Sequence, residues 1–276
     1  GGNMQILGIG LLLVAAAALA QEEAPYVLVQ AHRGYSEVYP ENTLIAIEKA
    51  YEVGANRVET DIALTNDGHI VLMHDRTVDR TTDGSGSVQL MDLAQLRELD
   101  AGSWKSPEFA GEPVPTLEEA LEVATEMGGE LNLEIKVSNR AASYVTETIR
   151  PAVAIVQEHE AHEHVVFSSF DFQALQQVQQ LDPELRVLLL DWGAPSDSFD
   201  YLDVVINLGF YGWSPTAEYA TPERLKKAQE NGIFVHVGAG PGPRILEMIE
   251  LGVDGFSAND AKALVDFLER QGLRGN

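Results

Sequence analysis

Residues 27–63 read VLVQAHRGYSEVYPENTLIAIEKAYEVGANRVETDIA, and the choice of fold turns on them. The segment opens on a β-branched run, Val27 to Ala31, and passes to Leu44 to Val53, where apolar residues recur three and four apart. It then meets Gly54 and returns to a second β-branched run, Arg57 to Ala63. A short apolar run between turn residues reads as a buried strand, and a three-and-four spacing reads as a helix. A glycine just beyond the helix supplies the left-handed residue that ends it. Strand, helix, strand is the unit of a parallel sheet.

Working outward, the unit repeats. Further strands are predicted at Leu131 to Lys136, Val165 to Ser168, Val187 to Leu190, Val204 to Asn207, Phe234 to Val237 and Gly255 to Ala258. Helices are predicted at Leu117 to Met127, Ala142 to His159, Phe172 to Leu181, Glu223 to Asn231 and Arg244 to Leu251. Eight parallel strands in roughly 250 residues point to an α/β protein of the (β/α)₈ TIM-barrel kind rather than an open doubly wound sheet. No Gly-x-Gly-x-x-Gly follows the first strand, which removes the usual dinucleotide reading. The rhythm breaks once. His69 to His74 is joined to the second strand by Asn66-Asp67-Gly68, a hairpin turn, and the chain from Arg76 to Pro115 is rich in turn residues. This predicts a small insertion, at about residues 76–115, after the second strand of a barrel spanning 24–272.

Composition narrows the function. With 43 acidic and 18 basic residues the chain carries a net charge of −25, which argues against a nucleic-acid partner because a phosphate backbone would be repelled. The absence of cysteine excludes disulfides, thiolate zinc sites and cysteine nucleophiles. Ile6 to Ala20 is an uncharged apolar run ending in Ala18-Leu19-Ala20, the small-x-small pattern of a cleavage site. A signal peptide at residues 1–20 and a secreted or periplasmic protein are therefore expected. The alternative is a retained leader that anchors the chain or stays with it in the cytoplasm, since the run is too short to span a bilayer comfortably.

Polar side chains at strand C-terminal ends project into a barrel mouth, where barrel chemistry is built. Glu59 and Asp61 lie two apart on one strand and so share the lumen face, and Glu134 and Lys136 repeat the arrangement on the next barrel strand. Three converging carboxylates without cysteine make a hard oxygen site suited to one divalent cation, Ca²⁺ or Mg²⁺; the alternative is a buried ion network in which Glu134 pairs with Lys136 or Arg33. His32 and His74 end two other strands. Two imidazoles beside a hard cation suit displacement at phosphorus, one taking a proton from the attacking hydroxyl and the other protonating the leaving oxygen, with Arg33 balancing phosphoryl charge.

His32-Arg33-Gly34, Pro40-Glu41-Asn42-Thr43, Val58-Glu59-Thr60-Asp61, Asp67-Gly68 with His74-Asp75, Arg80-Thr81-Thr82, Pro115-Thr116-Leu117-Glu118-Glu119 and Leu133-Glu134-Ile135-Lys136 follow in order. This ordered set resembles the glycerophosphodiester phosphodiesterase family, with weaker echoes at Ser168-Ser169-Phe170 and Gly252-Val253-Asp254-Gly255. The resemblance implies a barrel, and hydrolysis of a small glycerophosphodiester to glycerol 3-phosphate and an alcohol, through water or a neighbouring glycerol hydroxyl. It implies Glu59, Asp61 and Glu134 as metal ligands, His32 and His74 as the acid and base, and Arg33 and Lys136 as phosphate-binding cations. Asn42 is expected to hold the first loop against the insertion. The chain departs from the family pattern at Val237-Gly238-Ala239-Gly240 and Ala258-Asn259, positions expected at the substrate end. Phe170, Phe210, Tyr211 and Trp213 are candidate pocket walls. Other readings are a lysophospholipid or another glycerol-phosphate ester as substrate, a non-catalytic barrel that binds glycerophosphates, and an aldolase or isomerase. Against the aldolase, Lys136 among carboxylates stays charged and makes a poor Schiff-base lysine. His159, His162 and His164 read as a solvated helix end, His69 as a surface residue, and His236 as either a satisfied histidine or a substrate contact.

Overall fold

The computed structural model describes residues 26–138, 140–193, 196 and 199–274. The leader expected at residues 1–20 lies outside the described residues. In chain order the elements begin with β1 (Leu28–His32), α1 (Leu44–Glu52), β2 (Arg57–Leu64), β3 (Ile70–Leu72) and α2 (Leu93–Leu96). They continue with α3 (Leu117–Met127), β4 (Glu130–Ile135), α4 (Ala142–Glu158), β5 (Val165–Ser169), α5 (Phe172–Leu181) and β6 (Arg186–Asp191). The last are α6 (Tyr201–Leu208), β7 (Gly212–Pro215), α7 (Pro222–Glu230), β8 (Phe234–Gly238), α8 (Pro243–Glu250), β9 (Gly255–Ala258) and α9 (Ala261–Arg270).

Eight of the nine strands are parallel and hydrogen-bond in the order β1-β9-β8-β7-β6-β5-β4-β2, and β1 pairs back onto β2 to close the barrel. The expected (β/α)₈ barrel is present. Strand residues alternate between lumen and helix layer. Val58, Leu131, Leu133, Phe167, Val187, Leu189, Trp213, Val235 and Phe256 are buried against the helices, so the main core is a ring outside the strands. Removing one of these large side chains, as in Leu133→Ala, costs about 2–5 kcal/mol in such a core. The lumen faces carry polar residues together with Val166, Leu188 and Leu190, and the polar ones at the mouth become the site.

The insertion after β2 also takes shape. β3 runs antiparallel to β2, with Ile62 opposite Leu72, and Ala63, Val71, Met73, Val78, Val88, Leu96 and Val114 form a second, smaller core beneath it. The hairpin strand is shorter than predicted, so His74 and Asp75 stand in the loop past its end, and Lys136 likewise stands one residue past β4.

One predicted strand is wrong. Val204 to Asn207 lies inside α6, and the barrel strand in that unit is Gly212–Pro215. The β-branched pair Val204-Val205 suggests a strand, but the Asp200 side chain accepts from the Leu202 N–H at the helix start and Gly209, in the left-handed region, ends it. The true strand is four residues long, opens on glycine and closes on proline, which leaves almost no propensity signal. A helix not predicted, α9, closes the chain against β1 and β9.

Candidate active site

The loop after β1 is built tightly. Arg33 and Asn42 both adopt positive φ, 57° and 58°, a conformation that costs a non-glycine residue energy unless its surroundings impose it. The surroundings do so here: the Arg33 N–H donates to Glu59 Oε2 at 2.9 Å, and Asn42 makes two bonds to Asp61. Gly34, at φ 82°, passes so close to α1 that a Cβ would lie 2.6 Å from that of Ala46. The His-Arg-Gly triplet is thus a backbone device that folds the first loop over the mouth.

Glu59, Asp61 and Glu134 meet there, since Asp61 stands opposite Glu134 in the β2–β4 register. All three are buried, and each offers an oxygen within 4.8 Å of the others. Burial, Asp61 and Glu134 push the Glu59 carboxyl well above the usual range, and burial with Asp61 raises Glu134. Glu59 Oε1 and Asp61 Oδ1 are buried without a hydrogen-bond partner among the described residues. Repelling carboxylates with orphaned oxygens fit a hard divalent cation. The ion-network alternative accounts for part of the cluster only: Lys136 Nζ lies 2.8 Å from Glu134 Oε1 and 3.4 Å from Asp61 Oδ1. Burial works against the Lys136 ammonium, but Asp61 and Glu134 outweigh it and hold it above its ordinary pKa. It is charged.

The two histidines are held differently. His74 Nδ1 lies 2.6 Å from Asp75 Oδ1, and Arg80 bonds both Asp75 and Glu41, while Glu41 also accepts from Arg33. The Arg80 hydrogen bond chiefly holds Asp75 at a pKa of about 2, so it stays a carboxylate. His32 Nδ1 instead lies 2.7 Å from the Asn259 side-chain oxygen, with His32 Nε2 3.8 Å from Glu59. An amide oxygen only accepts, so Nδ1 carries the hydrogen and Nε2 keeps its lone pair. Burial and then Arg33 hold the His32 pKa below the ordinary value.

Two expectations change here. Asn42 grips Asp61 on β2, and the insertion is tied to the first loop by Arg80 on Glu41 and by Lys105 on the Ser36 carbonyl. The departure at Asn259 does not lie only at the substrate end, because its amide touches His32. Gly238 does line the cavity, and Val237 faces the core.

A cavity of about 380 Å³ runs from this mouth into the lumen. His32, Arg33, Glu59, His74, Glu134 and Lys136 line one side, and Ser168, Phe170, Leu190, Trp192 and His236 the other. Of the four aromatic candidates only Phe170 reaches the cavity. Phe210 and Trp213 are core residues, and Tyr211 stacks on Phe234. Trp192, 4.0 Å from Phe170 between ring centroids and 69% exposed, is the wall residue sequence reasoning missed. It stands just past β6 with no periodicity to mark it. His159, His162 and His164 are occupied by Ile155 O, Asp182 and Gly129 O.

Two imidazoles, two cations and three buried carboxylates at one barrel mouth suit the barrel enzymes of phosphate-diester hydrolysis. The particular family follows from comparison. The chain belongs to the glycerophosphoryl diester phosphodiesterase family, whose pattern it matches over residues 32–263. It is 33% identical over 246 residues to a glycerophosphodiester phosphodiesterase of Caldanaerobacter subterraneus, covering 89% of this chain and 99% of that one. A glycerophosphodiester phosphodiesterase of Bacillus subtilis is 32% identical over 225 residues, covering 76% of this chain and 75% of that protein. Among solved structures, an Oleispira antarctica phosphodiesterase in complex with the product sn-glycerol-3-phosphate superposes with a TM-score of 0.80 at 31% identity, covering 89% of this chain and 97% of that one.

Proposed function

We infer that the chain hydrolyses glycerophosphodiesters to sn-glycerol 3-phosphate and an alcohol, in a reaction that depends on one divalent cation, Ca²⁺ or Mg²⁺. The observation that carries this reading is the convergence of Glu59, Asp61 and Glu134 beside two imidazoles, with buried, unpartnered oxygens on Glu59 and Asp61. The three carboxylates would hold the cation, which when bound supplies a Lewis acid for the phosphoryl oxygens. The family relationship and the product seen in the Oleispira structure support the same bond as the target.

The unlike settings of the two histidines divide the proton work. His32, with an amide partner and a free Nε2 lone pair, takes the proton from the attacking hydroxyl, either water or the glycerol hydroxyl next to the phosphate. As the new O–P bond forms and the P–O bond to the alcohol breaks, His74 gives its proton to the leaving oxygen. The Asp75 carboxylate, 2.6 Å from His74 Nδ1, fixes the ring in place for this step. If the glycerol hydroxyl attacks, the product is a cyclic phosphate, and water then opens it with the two roles exchanged. Arg33 and Lys136 neutralise charge on the phosphoryl oxygens.

A second reading keeps this centre and takes a lysophospholipid, favoured by the exposed Trp192 and Phe170 at the mouth. The signal peptide read in residues 1–20 supports export of the enzyme, and intact mass of exported protein tests it. The main test is hydrolysis of glycerophosphocholine by purified protein in EDTA and after Mg²⁺ or Ca²⁺ is restored. Metal-restored release of glycerol 3-phosphate is expected. Activity unaffected by EDTA overturns the metal assignment, and activity confined to lysophospholipids selects the second reading.

A further inference from the structure

The β6 side of the mouth is anchored by charges that do not face the cavity. Asp191 ends β6 one residue before Trp192, and its side chain is fully buried. Its Oδ1 accepts from the Gly193 N–H at 2.7 Å, and its Oδ2 accepts from Trp213 Nε1 at 3.0 Å and from Arg224 Nη2 at 3.1 Å. The same Arg224 nitrogen bonds the Asp200 carboxylate that caps α6, and Arg224 Nη1 donates to the Tyr219 carbonyl at 2.9 Å. The guanidinium lies 4.4 Å from the Trp213 ring centroid. One buried cation on α7 thus holds the start of the β6–α6 loop, its end, and the turn after β7, where Thr216 and Ala217 line the cavity.

Such a network is a poor way to gain stability, because taking two carboxylates and a guanidinium out of water costs about as much as their attraction returns. What it supplies is direction. A planar guanidinium has N–H groups in a fixed fork, so it sets the positions of its acceptors in a way that apolar packing does not. The side chain so placed is Trp192. Its ring is largely exposed and leans on Phe170, so few contacts of its own hold it. The backbone on either side does, through Asp191 and through Gly193, where an added Cβ would come within 3.0 Å of Tyr201. Trp192 lines the cavity, whereas neither Asp191 nor Arg224 does.

Resting on the phosphodiesterase reading, we propose that Arg224, through Asp191 and Asp200, is a positioning residue for specificity. It fixes Trp192 at the cavity rim and so sets the affinity for diesters whose alcohol carries an apolar group wide enough to meet that ring. It acts on the binding of that group and leaves the carboxylates and imidazoles across the cavity untouched.

Steady-state kinetics of the full chain on the benzyl and methyl diesters of glycerol 3-phosphate, with Mg²⁺ or Ca²⁺ saturating, test this. Arg224→Lys keeps a positive charge for Asp191 and loses the fork. It is expected to raise KM for the benzyl diester about threefold or more, with kcat and the methyl KM unchanged. In a Trp192→Ala background the same substitution is expected to add nothing, because the ring it positions is gone; a purely structural arginine would cost as much without the ring as with it. Asp200→Asn keeps the α6 cap and leaves Asp191 paired with Arg224, so it repeats the measurement should Arg224→Lys not fold, and the same split at smaller size is expected. A KM rise equal on both diesters, a full effect surviving in Trp192→Ala, or no change in either variant overturns the positioning role. Failure of the wild type to hydrolyse either diester overturns the phosphodiesterase reading beneath it.

Discussion

The two halves of the cavity are built from different chemistry. From β1 to β4, besides the amides Gln30 and Asn132, it is lined by charged or ionisable groups in contact: Glu59, Asp61 and Glu134 packed together, Arg33 and Lys136 against them, and a chain from His74 through Asp75, Arg80 and Glu41. From β5 to β9 the described lining residues are neutral hydroxyls, aromatics, small residues and an uncharged His236. The charged half is electrostatically unsatisfied by itself, because its carboxylates repel one another in a buried setting. It is organised around reacting atoms. The neutral half has polar atoms to pair and surfaces to cover, and it is organised around the parts of a substrate that do not react. On the function proposed above, one half carries the chemistry and the other meets the rest of the substrate.

That division can be broken by experiment, and the largest effect belongs to the carboxylates. Glu134→Gln or Glu59→Gln is expected to lower turnover by about three orders of magnitude, since metal catalysis supplies several kcal/mol. In EDTA the Glu59→Gln protein is expected to melt at or above the wild-type temperature, because a buried like charge has been removed. Near wild-type turnover in both variants would erase the distinction between the halves. Next come the imidazoles. His32→Ala and His74→Ala should each cost about 10²–10⁴ in kcat, read by steady-state kinetics with the metal saturating.

The partner of His32 gives a smaller and more diagnostic effect. Its lowered pKa keeps the ring a competent base to below pH 6.5, so the acid limb of kcat/KM is expected beneath that value. Asn259→Asp puts a carboxylate where an amide stood, favours the imidazolium, and moves the limb to higher pH. A pH profile identical in both proteins would remove His32 from the base role. The smallest effect falls in the neutral half. Trp192→Ala is expected to leave the melting temperature within a degree or two, because the ring is largely exposed, and to raise KM by a few-fold for diesters of bulky alcohols only. A fall in kcat on every substrate would show that the neutral half takes part in the chemistry.

The charged half was legible in the sequence because its residues come as short local patterns. Glu59 and Asp61 alternate on one strand, Glu134 and Lys136 repeat the spacing, and His32-Arg33-Gly34 and His74-Asp75 close two others. A two-residue period places both side chains on one face whatever the rest of the chain does. The strand at Gly212–Pro215 was illegible for the opposite reason. With glycine at one end and proline at the other, its place comes from pairing with β6 and β8, and the better strand propensity nearby at Val204 was overruled by helix caps.

The sequence by itself therefore determined the barrel, the insertion after its second strand and the seven charged or ionisable groups that meet at its mouth, since period, turn chemistry and local spacing are properties of neighbouring residues. Only the tertiary structure decided that Asn259 meets His32 across 227 positions, that Arg80 and Glu41 tie the insertion to His74, and that Asn132, Ser168 and His236 line one cavity. Those meetings are set by barrel closure and strand register, which bring distant residues to one layer and leave no trace in local sequence.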